Sequence, residues 1–376
     1  MAGSPGNVLD AQEKRTLLDK ALYLISAPSR ELDPEAVYQQ APSWNVALAG
    51  DVRQFTVSQK NEFTIVISNL DDYGNYTEDL WPAALTTTLT GDISKSVGIQ
   101  LGYGNLSLGW TQNIGKSTDL KKRSFFFDYI GVGYAAQLQY YDYQQYMDYQ
   151  LVLGEEGSDD YVVLDSKTDK PGRLRSLIAD GYYSFNQRTF AYSAAYKGDK
   201  VQRRSAGSFM AGVKLIEGIM EVEPGDGIVG WIGGIGRQTT TQIAVGGGYS
   251  YNLVPYHRQP DPRTGKGLRN ITMNLTAIPM VTMFNQFSST VYVYQDDADY
   301  IEKKSYMNGN LMVNYVAKAG LIYSWDKFSV SASGSYDSYS YKGKTRILLL
   351  GLRDNLIKSS GSFGRWSASL RFSMRF

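Results

Sequence analysis

The 376-residue chain has no cysteine, a single histidine, eleven prolines and a formal net charge of only +1. Without cysteine there is no disulfide and no thiolate metal site, and one histidine cannot build an imidazole cluster. A near-neutral chain lacks the clustered basic surface that nucleic acid requires, so no nucleic-acid partner is expected. No run approaches the roughly 18–20 apolar residues of a membrane helix. If the chain crosses a bilayer, it crosses with strands. Residues 1–7 carry no apolar signal core, so the chain is read as a mature form whose export signal has been removed.

What is abundant is tyrosine, 29 residues, and glycine, 38. Tyrosine suits strands and the interfacial girdles of membrane barrels, and glycine suits turns. The clearest stretch is the last, residues 361–376. Its even positions carry Trp366, Ala368, Leu370, Phe372, Met374 and Phe376; its odd positions carry Arg365, Arg371 and Arg375 among serines. Period-two alternation places these sets on opposite faces of one strand. A strand that ends the chain on an aromatic residue fits the closing strand of an outer-membrane barrel, with one face to lipid and one to the lumen.

The alternation recurs over 43–53, 82–92, 95–103, 105–113, 123–141, 173–186, 188–198 and 205–218, then over 238–253, 268–285, 308–324, 327–342 and 362–376. So many amphipathic segments do not pack into one soluble core. The predicted fold is all-β, a transmembrane antiparallel up-and-down β-barrel. Thirteen segments cannot close an even barrel. Fourteen strands are preferred, with a further one at 227–236; twelve is the alternative, with 95–113 read as a single strand. Long loops belong outside and short turns inside. That places 58–81, 142–172, 286–307 and 343–361 outside, and a turn at Trp325-Asp326 in the periplasm. The barrel domain is residues 43–376. Residues 1–42 form an N-terminal segment with a helix over 8–27, signalled by Asp10 and Glu13 in a capping-box pattern. It rests on the periplasmic rim or enters the lumen as a plug.

The central stretch supplies a resemblance. Tyr182, Phe185 and Asn186 precede Arg188, Phe190, Tyr192, Ala194 and Ala195, and Gln202, Arg204 and Ser205 to Phe209 follow. This pattern resembles the Bacteroidetes family catalogued as domain of unknown function 4421. The resemblance implies a Gram-negative outer-membrane barrel and brings no activity.

Chemistry is sparse. A Ser-His hydrolase needs its base, and the one candidate, His257, lies in a proline-rich turn. Asp71, Asp72 and Asn75, or Asp296, Asp297 and Asp299, could offer oxygens to calcium, but not at EF-hand spacing, and a solvated acidic loop explains them as well. The glycines of 230–236 and 246–248 precede no helix and read as strand positions where a neighbour packs closely. No catalytic residue, metal or cofactor is assigned.

The remaining functional surfaces are the lumen and the outer loops. Arg365, Arg371 and Arg375 on the last strand, Asp51 and Arg53 on the first, and Lys318 are expected to line the lumen, with Asp51 as neighbour to the arginines. Paired charges could simply stiffen a closed barrel, or an arginine ladder could line a water-filled path. Tyr141, Tyr143, Tyr146, Asp159, Asp160, Asp296 and Asp297 form the candidate loop-binding set. The expected function is a conduit for small polar or anionic solutes, partly occluded by the N-terminal segment. The alternative is a non-transporting barrel that docks a surface protein or glycan through its tyrosine-rich acidic loops. In either case the constant partner is the lipid bilayer.

Overall fold

A computed structural model describes residues 32–40, 42–70, 76–90, 93–114, 122–223, 235–261, 263, 266–294, 300–308, 312–347 and 355–376. The expected helix over 8–27 lies outside the described residues.

After the short β1 (Val37–Gln39), β2 (Trp44–Leu70) rises from the periplasmic end. β3 (Tyr76–Thr90) and β4 (Ser94–Tyr103) descend along the same edge of β2, β3 against its upper half and β4 against its lower half. Together they fill the place of one long strand. β5 (Leu106–Asn113), β6 (Lys122–Ile130) and β7 (Tyr134–Gln145) continue the wall, and the hairpin β8 (Asp148–Leu153) and β9 (Val162–Lys167) follows at the outer end. Next come β10 (Gly172–Ser184), the short β11 (Lys200–Gln202), β12 (Ala206–Glu221), β13 (Ile235–Arg258) and β14 (Arg269–Tyr294). β15 (Tyr300–Asn308) and β16 (Val313–Trp325) share one edge of β14 and again act as one descending strand. β17 (Phe328–Ile347) and β18 (Asn355–Arg375) complete the wall, and β18 pairs with β2 to close it.

The closed ring therefore has twelve strands, not the preferred fourteen. Segments 82–92 and 95–103 share one edge of β2 and count as one strand of the ring. Segments 95–103 and 105–113 stay separate, because Gly104 (φ 53°) turns the chain between them. The stretch 123–141 is two strands joined at Gly131–Gly133. Residues 188–198 form no strand, and most of 227–236 lies outside the described residues.

Alternation decides which face goes where. On β18 the even positions Trp366, Leu370, Phe372 and Met374 are exposed, while Arg365 is buried inside. On β16 Val313, Tyr315, Leu321 and Tyr323 face out, and Asn314, Val316 and Ile322 face in. Phe209 and Leu275 are 71% and 68% exposed on the outer wall. Exposure of that kind, repeated around the ring, is favourable only against lipid. The strands outreach the bilayer. β2 has 27 residues and β14 has 26, against the roughly 9–11 that a tilted strand needs to cross. The excess lies at the outer end. The turn expected at Trp325-Asp326 falls at Asp326-Lys327, between β16 and β17, at the end of the barrel where β2 begins. Asp326 adopts φ 45°, and its carboxylate accepts from the backbone N–H of Gly267 (2.6 Å) and Leu268 (3.1 Å).

The interior is filled. The segment between β10 and β12 folds up into the lumen, with a 3-10 turn at Tyr192–Ala195 whose residues are all buried. Phe190, Tyr192 and Ile278 pack together beneath Met210 and Met280. β1 pairs with β11 and straps this plug from below. Gln202 ties the parts together. Its amide donates to the carbonyls of Thr189 (2.7 Å), Arg204 (2.9 Å) and Ala36 (3.3 Å), and its oxygen accepts from Ala191 N–H (3.0 Å). The plug is thus the central loop, which the alternation had suggested as a strand.

Candidate functional site

At mid-height the lumen is crossed by a chain of charges. Lys214 on β12 lies 3.0 Å from Asp180 on β10, 2.6 Å from Asp337 on β17 and 2.6 Å from the Tyr339 hydroxyl. Arg365 on β18 donates from Nε to the other Asp337 oxygen (3.0 Å). Its Nη1 reaches Gln139 and the Tyr141 hydroxyl (2.8 Å) on β7. β7 and β18 stand on nearly opposite sides of the ring, so this crossbar spans the barrel. Lys214, Asp180 and Asp337 are essentially without solvent exposure. Burying such charges is costly, and each must keep its partners. Above the crossbar an aromatic stack runs through Tyr143, Phe55, Phe363 and Tyr339, with neighbouring centroids 5.0–6.4 Å apart.

Below the crossbar lies a cavity of about 140 Å³, enough for roughly ten waters at one probe sphere each. Arg53, Arg371 and Lys318 face it together with Asp51 and Asp128. Arg53 sits 3.4 Å from Asp51 and donates to Ser124 Oγ (3.1 Å). Lys318 donates to Gln137 and stands 4.4 Å over the ring of Tyr182. Gln137 in turn donates to Asp128 (3.2 Å). The hydroxyl pairs Ser333·Ser369 and Ser335·Ser367, each at 2.8 Å, line the β17–β18 wall. Tyr196 of the plug forms part of the floor and bonds Asn274 (2.7 Å). Beside it Lys197 donates to the Asn105 carbonyl, and burial pushes its ammonium down to about 8 against the opposing pull of Asp199 and Asp128.

Of the residues expected in the lumen, Asp51, Arg53, Lys318, Arg365 and Arg371 line this one cavity. Arg375 does not. It lies at the periplasmic rim beside Phe376 and donates to the Asp326 carbonyl (2.6 Å). Asp51 is also not the partner of Arg365, since the register sets Asp51 opposite Ser369 and Arg53 opposite Ser367. The missing partner was Asp337, on the neighbouring strand. Asp180, Lys214 and Asp337 escaped the sequence reading although each is a charge on the inward face of a spanning strand, which is itself a signal.

The loop-binding set divides. Tyr141 and Tyr143 are corrected from loop to lumen. β7 continues to Gln145, and both rings are buried, 9% and 4% exposed, around Arg53 and Arg365. Tyr146 is exposed just past the end of β7, and Asp159 and Asp160 are exposed at the tip of the β8–β9 hairpin with Glu155 and Glu156. Asp296 and Asp297 lie outside the described residues, as do Asp71, Asp72, Asn75 and Asp299. The hairpin pairs through β8 with β3. β9 ends the sheet, and all six of its residues are exposed. His257 lies at the periplasmic end of β13 with Nδ1 3.1 Å from Asn270 Oδ1. Among the described residues no group of three or more His, Asp or Glu is disposed to hold a metal ion.

Comparison with solved structures finds barrels at low similarity. The outer-membrane protease OmpT from Escherichia coli is 10% identical with a TM-score of 0.27, over 88% of this chain and 97% of that one. The translocator domain of autotransporter NalP from Neisseria meningitidis is 11% identical with a TM-score of 0.26, over 86% and 88%. A Pseudomonas aeruginosa FadL homologue is 8% identical with a TM-score of 0.21, over 89% and 90%. Likeness at this level carries no functional argument, and the barrel assignment rests on the strand register. No curated protein matches the sequence. The family model for domain of unknown function 4421 matches residues 51–351, and the chain belongs to that family.

Proposed function

We propose that this protein is an outer-membrane barrel sealed against diffusion, and that it works as a docking protein through the free edge of β9. The supporting observation is the combination of a bridged lumen with a strand at the outer end that is paired on one edge alone among the described residues. Among the described residues the crossbar and the plug cross the lumen at two levels, which supports the sealed reading. Among the described residues the second edge of β9 has no partner strand, and it lies next to exposed Val162, Val163 and Leu164. Such an edge accepts an added strand. The occupant is an extended segment of another polypeptide. A second copy is disfavoured, because two barrels in one bilayer share an orientation and their β9 strands cannot run antiparallel. The four carboxylates at the hairpin tip favour a segment with basic residues at the matching end. No catalytic step belongs to this reading.

The conduit reading retains one observation, the charged mid-lumen cavity. Two measurements on the reconstituted protein decide. In planar bilayers it passes no ionic current; discrete current steps would sink the sealed reading. A synthetic peptide alternating valine and threonine and ending in two lysines binds through β9. Adjacent N–H groups of a strand point to opposite edges, so of Val163→Pro and Leu164→Pro one removes an outward donor and one an inward donor. Peptide binding untouched by both substitutions rejects edge pairing.

A further inference from the structure

We infer that the cavity beneath the crossbar is a binding site for a small dianionic oxyanion of the phosphate or sulfate type. The first argument is charge. Within the crossbar Lys214 and Arg365 balance Asp180 and Asp337. Around the cavity Arg53, Arg371 and Lys318 face only Asp51 and Asp128. In the plug directly below, Lys197 and Lys200 face Asp199, with Lys200 and Asp199 paired at 2.8 Å. Each of the last two groups holds one cation in excess among the described residues, so one positive charge at the cavity and one in the plug beside it lack counter-charge. Buried charge without a partner is costly, and an anion of charge −2 removes the cost.

The second argument is unspent hydrogen bonding. The Nε atoms of Arg53 and Arg371 are buried and have no partner. Both residues face the cavity, and a guanidinium fork matches the oxygens of phosphate and sulfate. Around them, Ser333, Ser335, Ser367 and Ser369 supply hydroxyls that can reorient towards an oxyanion. The third argument is size. About 140 Å³ admits such an ion with several waters, while the crossbar above and Tyr196 below keep out a large solute. The site does not depend on the docking reading, since it sits in the lumen and the edge strand lies outside.

Refolding lets the ion enter before the barrel closes, so the test refolds the full chain into detergent micelles with radiolabelled inorganic phosphate. Free ion is removed by gel filtration, and the bound label is released with acid. The expected result is one phosphate per barrel, displaced when sulfate but not chloride is present during refolding. Arg371→Gln weakens retention by about 10- to 100-fold, the worth of one charged hydrogen bond. Ser369→Asp, which sets a carboxylate into the cavity beside Asp51, abolishes retention while the barrel still folds. Its folding is checked by circular dichroism, and this variant keeps the test decisive if Arg371→Gln does not refold. No retained phosphate in the wild type, or equal retention in wild type and Ser369→Asp, overturns the inference.

Discussion

Asp337 is one carboxylate serving cations from two other strands. Lys214 approaches one oxygen, and Arg365 takes the other. Replacing it by asparagine keeps the volume and removes the charge, which leaves both cations buried against Asp180 alone. Loss of one member of such a buried group costs about 3–5 kcal/mol. Asp337→Asn should therefore lower the urea midpoint of the micelle-bound barrel by a matching amount. Adding Lys214→Met restores the balance of charge, so the double variant should recover part of the loss. The non-additivity in a double-mutant cycle measures the coupling, and simple additivity would show that the pair does not act as a unit.

At the level of the element, β13 and β14 show how a local sequence shapes a wall. Pro279 lacks an N–H, and the ladder passes from Gly246↔Met280 to Tyr249↔Ala277 without paired residues between. The glycines opposite allow the close approach. A Cβ on Gly248 would stand 2.0 Å from the Ala277 carbonyl oxygen, and one on Gly246 would stand 2.2 Å from that of Pro279. Gly248→Ala must push backbone apart and should destabilise by about 1–3 kcal/mol, read as an earlier thermal transition; an unchanged transition would show that the strands separate freely. Legibility of the fold follows from such elements. β16 and β18 were readable residue by residue, because lipid and lumen impose opposite demands on alternate positions. The strand count was not, since β3 and β4 share one place in the ring and a three-residue turn at Gly131–Gly133 hardly disturbs alternation. Residues 188–198 misled for a related reason. Phe190, Tyr192 and Ala194 fall on one side of a period of two, but all three are buried against the lumen wall and the rest of the plug, as are Ala191 and Ala195 between and beside them. The cavity was half legible. Arg365, Arg371 and Arg53 stood out on end strands, whereas Asp337 and Lys214 needed the register that brings distant strands face to face.

For the whole molecule, the outward belt sets the depth in the bilayer. Trp110 is 58% exposed on β5, opposite Ile99, while Trp44 lies opposite Tyr103 at the periplasmic rim. Four residues of strand separate those levels, roughly 13 Å of rise. In vesicles with brominated acyl chains, a variant retaining only Trp110 should be quenched strongly, and one retaining only Trp44 weakly. Equal quenching would move the hydrocarbon boundary down to the rim.

The crossbar also imposes an order on assembly. Asp337 and Arg365 belong to β17 and β18, the last hairpin of the chain, whereas Asp180 and Lys214 belong to its centre. β18 must meet β2 across some 300 residues, as in Ser359↔Asn61, and contacts between such distant parts of a chain form late. Until that hairpin docks, Lys214 has one acidic partner and an open, hydrated flank. Closing the wall and drying the interior are therefore a single event, and the last strand acts as the latch on a vessel already holding its contents.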